Sequence, residues 1–403
     1  MSCNSNPTQQ FAAQTERIHR FLDQVTKKLI VMSGKGGVGK STVAANLAVT
    51  LSQQGYQVGL LDVDVHGPSI AGLLDLNDLP LLTDREQIYP IEYSPTLKVV
   101  TIQGLLDKPD DPVICRGPAK ITMIRQFLGD VDWGQLDFLI IDSPPGTGDE
   151  PLTIAQTVTG CQAVIVTTPQ EIALADVRKS IQFCRKVNLP IAGIIENMSG
   201  FVCPTCGSRH DIFKSGGGEK TAAAAGLPFL GRLPIDPAIV TAGDSGKAIA
   251  GLHNQTQTDM QHLVDQLLQQ LGNPTPTETG LLKIAVPTDN GNLGERFGHS
   301  AVFSIISAQK GQIVQQEELT PPPKPGAIPG WLAEQGCHTV IAGGLGEAAR
   351  IKLAELGIKV ICGAPAATPE QLALRYLRGE LIASTPAASR TSPASSCQDC
   401  NHT

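Results

Sequence analysis

Ser33-Gly34-Lys35-Gly36-Gly37-Val38-Gly39-Lys40-Ser41-Thr42 constrains this chain more than any other stretch. The apolar run Leu29-Ile30-Val31-Met32 precedes it, and Val43, Ala44, Leu47, Ala48 and Leu51 follow at helical spacing. Strand, glycine-rich loop, helix is the context a phosphate-binding loop needs. Glycines at 34, 36, 37 and 39 let the backbone wrap an anion with its N–H groups turned inward. The helix opening at Lys40-Ser41-Thr42 then offers unpaired amides and its positive dipole end to the phosphates. Lys40 is expected to reach the terminal phosphates, and the Ser41 hydroxyl to take one position on Mg²⁺. A chance glycine turn holding a lysine is the rival reading, and so full a match in this context disfavours it.

Two carboxylate segments belong with that loop. Gln57-Val58-Gly59-Leu60-Leu61 reads as a buried strand ending at Asp62-Val63-Asp64, where ligands bind in open α/β sheets. One of these aspartates can hold a Mg²⁺ water and the other can orient the attacking water; the residues alone leave the division open. Leu136 to Ile141 is a second apolar strand, ending in Asp142 as a Walker B carboxylate for the Mg²⁺ hydration shell. Ser143 to Asp149 follows as a Pro/Gly-rich loop placed to sense the γ-phosphate. Further strands are predicted near 97–103, 162–168, 190–196 and 228–232. Helices are predicted near 119–128, 171–186 and 256–271, with an amphipathic one over 8–27 carrying Phe11, Ile18, Phe21, Leu22 and Val25. The alternation predicts an α/β fold with a doubly wound, mostly parallel sheet.

Composition narrows the function classes. With 41% apolar and 17% charged residues the chain is a folded globular protein. A net charge of −7 argues against a general nucleic-acid surface. No apolar run approaches the roughly 20 residues of a membrane span, and the polar N-terminus lacks a signal-peptide core, so a cytoplasmic protein without membrane attachment is expected. Of ten cysteines, four form Cys-x-x-Cys pairs, at 203/206 and 397/400. Cys161, Cys184, Cys337 and Cys362 lie in or beside apolar stretches and read as small core residues. Cys203 and Cys206 supply two ligands where zinc or a [4Fe–4S] cluster wants four, and a homodimer's two-fold axis would supply the rest. A thioredoxin-like redox pair, or a zinc clip completed by His210, are the alternatives.

The early lysine of the loop, Lys35, resembles the deviant Walker A of the MinD/ParA/nitrogenase-iron-protein class, in which that lysine crosses a dimer interface to the partner's nucleotide. Gly-Lys-Gly-Gly-Val-Gly-Lys-Ser-Thr, Asp-Val-Asp-Val-His-Gly-Pro-Ser, Ile-Ile-Asp-Ser-Pro-Pro-Gly-Thr-Gly-Asp and Glu-Asn-Met-Ser-Gly-Phe before Cys-x-x-Cys together resemble the Mrp/ApbC branch of P-loop ATPases, over about residues 25–271. The resemblance implies an ATP-hydrolysing iron–sulfur cluster carrier, with a [4Fe–4S] cluster bridging a homodimer through Cys203 and Cys206 and delivered to client apoproteins. It implies that Lys35, Lys40 and Asp64 act on ATP, with Asp64 positioning water. Ser41, Asp62 and Asp142 would serve Mg²⁺, and Asn197, Pro234 and Asp236 would border the adenine.

Residues 272–280, rich in Pro and Thr, read as a linker between an ATPase domain (28–271, after an extension over 1–27) and a second domain over 281–383. Asp289 to Ser300 and Ala342-Gly343-Gly344-Leu345-Gly346 resemble the NifX/NafY-type domain of iron–molybdenum cofactor biosynthesis. That resemblance implies a small α/β domain of ribonuclease-H-like type binding a heterometal, molybdenum-containing cluster, with His299 and Arg296 as candidate contacts. The tail over 384–403 ends in Cys397, Cys400 and His402, which read either as a metal clip or as incidental thiols on an inert tail, with no second shell to fix the ligands. Two rival functions stand beside the carrier: a spatial-organising ATPase of the MinD/ParA type would bind a membrane or DNA, and a zinc-stabilised ATP-dependent scaffold would differ only in the metal.

Overall fold

The structure, a computed structural model, describes residues 7–381 apart from 66, 78, 85–86, 106–116, 204, 207, 245, 247, 250–251, 253, 278–280, 295–296 and 325. The N-terminal segment forms α1 (Pro7–Asp23), shorter than the predicted 8–27. Val25 instead opens β1 (Val25–Ser33), where it pairs with Leu136 of a neighbouring strand. Ile18, Phe21 and Leu22 are buried as predicted, whereas Phe11 is exposed, with the Arg125 guanidinium 4.2 Å over its ring.

β1 leads through the glycine loop into α2 (Lys40–Gln53), then β2 (Val58–Asp62) and the short α3 (Ile70–Leu73). A hairpin of β3 (Leu82–Asp84) and β4 (Gln87–Tyr89) precedes β5 (Ile91–Ser94) and β6 (Leu97–Thr101). Next come α4 (Gly117–Gly129), β7 (Leu136–Asp142), α5 (Asp149–Thr157), β8 (Cys161–Thr167), α6 (Glu171–Lys186) and β9 (Ile191–Glu196). A small antiparallel hairpin, β10 (Phe201–Val202) and β11 (Arg209–His210), interrupts the alternation. After it follow α7 (Gly217–Ala225), β12 (Phe229–Arg232), α8 (Pro237–Asp244) and α9 (Gln255–Gln270).

Eight strands form one sheet in the order β12-β9-β8-β1-β7-β2-β6-β5, parallel throughout except for the edge strand β5. Every residue of β2 and β7 is buried, because helices cover both faces and leave no solvated side to place polar residues on. The chain after β1 builds one half of the sheet, and the crossover from β7 to β8 carries it past β1 to build the other. The carboxyl ends of β7, β1 and β8 therefore border the crevice where such sheets bind ligands.

The second domain contains β13 (Leu282–Asp289), β14 (Asn292–Leu293), β15 (Val302–Gln309), β16 (Gln312–Leu319), α10 (Ile328–Glu334), β17 (Thr339–Ala342), α11 (Glu347–Glu355), β18 (Lys359–Cys362) and α12 (Pro369–Leu377). Its sheet runs β16-β15-β13-β17-β18, antiparallel over the first three strands and parallel over the last two, with β14 paired to β13. Successive residues of β13 point to opposite faces. Ala285 packs with Leu332 of α10 and Leu353 of α11, while Ile284 and Val286 pack with Leu372 and Tyr376 of α12.

The Pro/Thr segment between the domains is tied down where the structure describes it. The Tyr56 hydroxyl donates to the Pro274 carbonyl (2.8 Å), and the Thr277 amide donates to Asp137 Oδ1 (3.0 Å), as does the Thr277 hydroxyl. Asp137 Oδ2 accepts from the Gln57 amide (2.7 Å), so one buried carboxylate at the start of β7 gathers three donors. Glu92 and Lys359 form an ion pair from one domain to the other.

Candidate functional site

Gly37 and Gly39 adopt φ of +79° and +80°, the left-handed conformation that turns successive amides to one side. Gly34 is required for a different reason: a Cβ there would meet the Asp176 backbone at 2.4 Å, so the loop packs directly on α6. Lys40, Ser41 and Thr42 form the first turn of α2, with Gly39 as its N-cap. Lys40 is almost fully buried. Its ammonium donates to Asp142 Oδ1 (2.6 Å) and lies 3.1 Å from the Ser41 hydroxyl.

Parallel pairing of β2 with β7 sets Asp62 directly opposite Asp142, both wholly buried. Burial, then the neighbouring Asp142, pushes the Asp62 carboxyl up to about 8. Burial raises Asp142 as well, and Lys40 offsets that rise only in part. Asp142 Oδ2 is buried with no hydrogen-bond partner. A cluster of a hydroxyl and two carboxylates with an unsatisfied inward oxygen fits a hard, oxygen-seeking cation such as Mg²⁺. Asp64 stands apart from this pair, half-buried in the turn beyond β2, where its Oδ1 accepts from the Gly67 amide (3.3 Å). Lys35 is half-buried and makes no ion pair among the described residues. The loop after β7 is tied back to β1: the Gly146 amide donates to the Ser33 carbonyl (2.8 Å) and the Ser143 hydroxyl to the Val31 carbonyl (2.9 Å).

Beside the loop opens a cavity of about 650 Å³, within the range of small-molecule sites. Gly39, Thr42, Asn197, Pro234 and Asp236 line it, five of the residues predicted to hold nucleotide. Asn197 Nδ2 donates to the Val38 carbonyl (2.9 Å) and so fixes the loop's far side. Asp236 has a structural duty besides: its carboxylate accepts from the Ala238 amide, Asn254 Nδ2 and the Thr256 hydroxyl, joining the starts of α8 and α9. Met198 and Phe213 also wall the cavity and were not among the predicted residues. Met198 adjoins Asn197, but nothing local to Phe213, more than 170 residues beyond the loop, marks it as a neighbour.

Cys203 and Cys206 lie outside this cavity, on the turn between β10 and β11, half-buried and exposed respectively. Ser208, and after it Cys203, hydrogen-bond to the Cys206 sulfur and lower its pKa, which favours the thiolate that metals bind. The core thiols go the other way: burial pushes Cys161 up to about 12, and Cys184 and Cys337 to about 11. Among the described residues no three His, Cys, Asp or Glu side chains converge as a metal site, and Cys203, Cys206 and His210 are not gathered into one in this structure. His210 pairs with Phe201 in the hairpin. The tail with Cys397, Cys400 and His402, Arg296, and the side chain of His299 lie outside the described residues. Among those described, no helix is long and apolar enough to cross a membrane.

A glycine loop feeding a helix, a Walker B aspartate and a base-sized cavity at the carboxyl ends of a doubly wound sheet define a P-loop nucleoside triphosphatase. The chain belongs to the ParA family in its NUBPL iron-transfer P-loop NTPase form, whose model matches residues 24–271, and it is an ATP-hydrolysing member. Residues 281–379 match the dinitrogenase iron–molybdenum cofactor family. The chain is similar to an iron–sulfur cluster carrier protein of Methanocaldococcus jannaschii, 45% identical over 261 residues that cover 64% of this chain and 90% of the relative. It is similar too to a cytosolic Fe–S cluster assembly factor Nubp2 homolog of Drosophila sechellia, 50% identical over 258 residues covering 62% and 99%. Among solved structures it resembles a nucleotide-binding protein of Archaeoglobus fulgidus in complex with ADP, at 42% identity and a TM-score of 0.52, covering 58% of this chain and 92% of that one.

Proposed function

We propose that the chain works as a homodimer that carries a [4Fe–4S] cluster as cargo between the two Cys203–Cys206 pairs and delivers metal–sulfur cofactors to apoproteins under the control of ATP. The observation that carries this reading is the hairpin: it presents two thiols, one with a lowered pKa, and begins only a few residues beyond Asn197 of the nucleotide cavity. Two thiols cannot complete a cluster's four-sulfur shell, and a two-fold axis doubles them.

In this reading the amides of Gly34, Gly36, Gly37 and Gly39 and the first turn Lys40-Ser41-Thr42 bind the phosphates, and Asn197, Pro234 and Asp236 hold the base. Lys40 exchanges Asp142 for phosphate oxygens. Ser41, Asp62 and Asp142 would hold Mg²⁺, which when bound would supply charge neutralisation for the phosphates. Asp64, beyond the buried pair, orients the attacking water, and Lys35 reaches the partner's nucleotide. The loop from Ser143 to Asp149, attached to β1 through Ser33 and Val31, passes the state of the γ-phosphate to the dimer face.

For residues 281–383 we propose a ribonuclease-H-like domain that binds a heterometal, molybdenum-containing cluster. Its strand order, with three antiparallel strands followed by two parallel ones, supports the fold, and the family match supports the ligand. The test of the carrier is anaerobic reconstitution of wild type and Cys203→Ser/Cys206→Ser with iron, sulfide and zinc counted per dimer. About four iron and four sulfide, absent from the variant, are expected. Zinc alone, or equal iron in both proteins, would leave an ATP-dependent scaffold.

A further inference from the structure

The stretch from Ser199 to Gly216 leaves the nucleotide cavity and comes back to it. It departs just after Met198, which lines the cavity with φ of +55°, and runs out through the cysteine hairpin. It then returns to place Phe213 in the lining of the same cavity. Its two ends are fastened to one side chain. Glu196, fully buried at the end of β9, accepts from the Ser199 hydroxyl (2.5 Å) at the start of the stretch and from the Gly216 amide (2.8 Å) at its end. The Gly218 amide donates to the other carboxylate oxygen (2.5 Å). The outgoing strand is further paired to the cavity wall, with Ser199 N to Leu233 O (2.8 Å) and Ile235 N to Gly200 O (2.7 Å).

The turn that carries Phe213 is built to hold it. Lys214 has φ of +70° and donates its amide to Asp211, and the Ser215 hydroxyl donates to Asp211 Oδ2 (3.1 Å). Phe213 is 42% exposed, and Ile212 beside it 59%, but of the two only Phe213 lines the cavity. An aromatic side chain in the lining of a cavity beside a phosphate loop has a natural complement in a planar base.

We propose that Phe213 is a nucleotide-positioning residue: it packs on the base of the bound nucleotide, and because the cysteine hairpin is the loop between Met198 and Phe213, the base orders that hairpin directly. This rests on the nucleotide-site reading above and adds a route from the base, as distinct from the γ-phosphate, to the thiols. A ligand lacking a base fills the phosphate loop and leaves the hairpin unchanged.

The test uses the full chain with ADP and with inorganic pyrophosphate, measured by titration calorimetry, and amide hydrogen exchange across residues 199–216. Phe213→Ala is expected to weaken ADP at least about fivefold, the low end for removal of an aromatic stacking partner, while pyrophosphate affinity stays unchanged. In wild type ADP slows exchange in the hairpin and pyrophosphate does not. Phe213→Ala abolishes the slowing and Phe213→Trp restores it. Equal ADP affinity in wild type and Phe213→Ala, a parallel loss of ADP and pyrophosphate, or retention of the ADP effect on the hairpin in Phe213→Ala overturns the proposal. Wild type that binds neither ligand overturns the nucleotide site itself, a result distinct from all of these.

Discussion

Replacing Lys40 by alanine tests the charge balance beneath the loop. The Lys40–Asp142 pair is buried at 2.6 Å, with Asp62 opposite Asp142 in the sheet. With its carboxyl pushed up to about 8, Asp62 keeps a proton at neutral pH, and Lys40 offsets the one charge that remains, on Asp142. Without the ammonium, Asp142 has two courses. Remaining ionised costs about 3–5 kcal/mol for an unpaired buried charge. Taking up a proton at about pH 7 costs roughly 4 kcal/mol, given an ordinary carboxyl pKa near 3.9 and about 1.36 kcal/mol per unit.

Burial already holds the Asp142 carboxyl above its ordinary range with Lys40 in place, and losing the ammonium raises it further, so in the variant its folded-state pKa lies well above the unfolded value. The folded state therefore binds the extra proton, and stability falls as pH rises. The penalty is absent below about pH 4, grows by about 1.4 kcal/mol per pH unit, and levels off once the ionised course is the cheaper. Urea unfolding followed through Trp133 of the ATPase domain, in a Trp331→Phe background, reads this domain alone. Lys40→Ala should lose about 4 kcal/mol near pH 7, most of it recovered at about pH 5 or by adding Asp142→Asn. A loss under about 1 kcal/mol that does not vary with pH, or no rescue by Asp142→Asn, would refute the reasoning.

Two further substitutions probe other joints. Gly39→Ala puts a Cβ 2.2 Å from Asn197 Nδ2 at a φ of +80°. It should destabilise by at least about 1–2 kcal/mol and abolish ATP hydrolysis, and measurable turnover at wild-type rate would show that the loop tolerates a different path. Thr277→Val removes a hydroxyl donor from the buried Asp137 carboxylate, at a cost of about 1.5–3 kcal/mol for a bond to a charged group. Proteinase K should then cut between the domains at least about tenfold faster with ATPase activity unchanged, whereas an unaltered digestion rate would mean that the segment is held by something else.

The central sheet was legible because its strands are continuous apolar runs, and Asp62 and Asp142 because each closes such a run. Val25 could serve a helix or a strand from its local pattern, and its pairing with Leu136 decides. The edge region 82–94 escaped because it is mixed in polarity and partly exposed, with no period to read. Glu196 escaped for another reason. Its partners are two backbone amides and a serine, and amides leave no trace in a residue pattern. Phe213 reads as one more apolar residue until the fold returns it to the cavity. Asp236, expected at the base, also joins two helix starts, a duty visible only once α8 and α9 are in place.

The clamp on Asp137 bears on how the two halves of this chain can be separated. The NTPase family match ends at residue 271, and a gene divided there would discard Pro274 and Thr277. The Asp137 carboxylate, buried at the head of the strand that ends in Asp142, would keep the Gln57 amide and lose its two other donors. A fragment meant to report the intrinsic turnover of the first half should therefore extend past Thr277. One cut at the family boundary would confound a missing domain with a damaged strand.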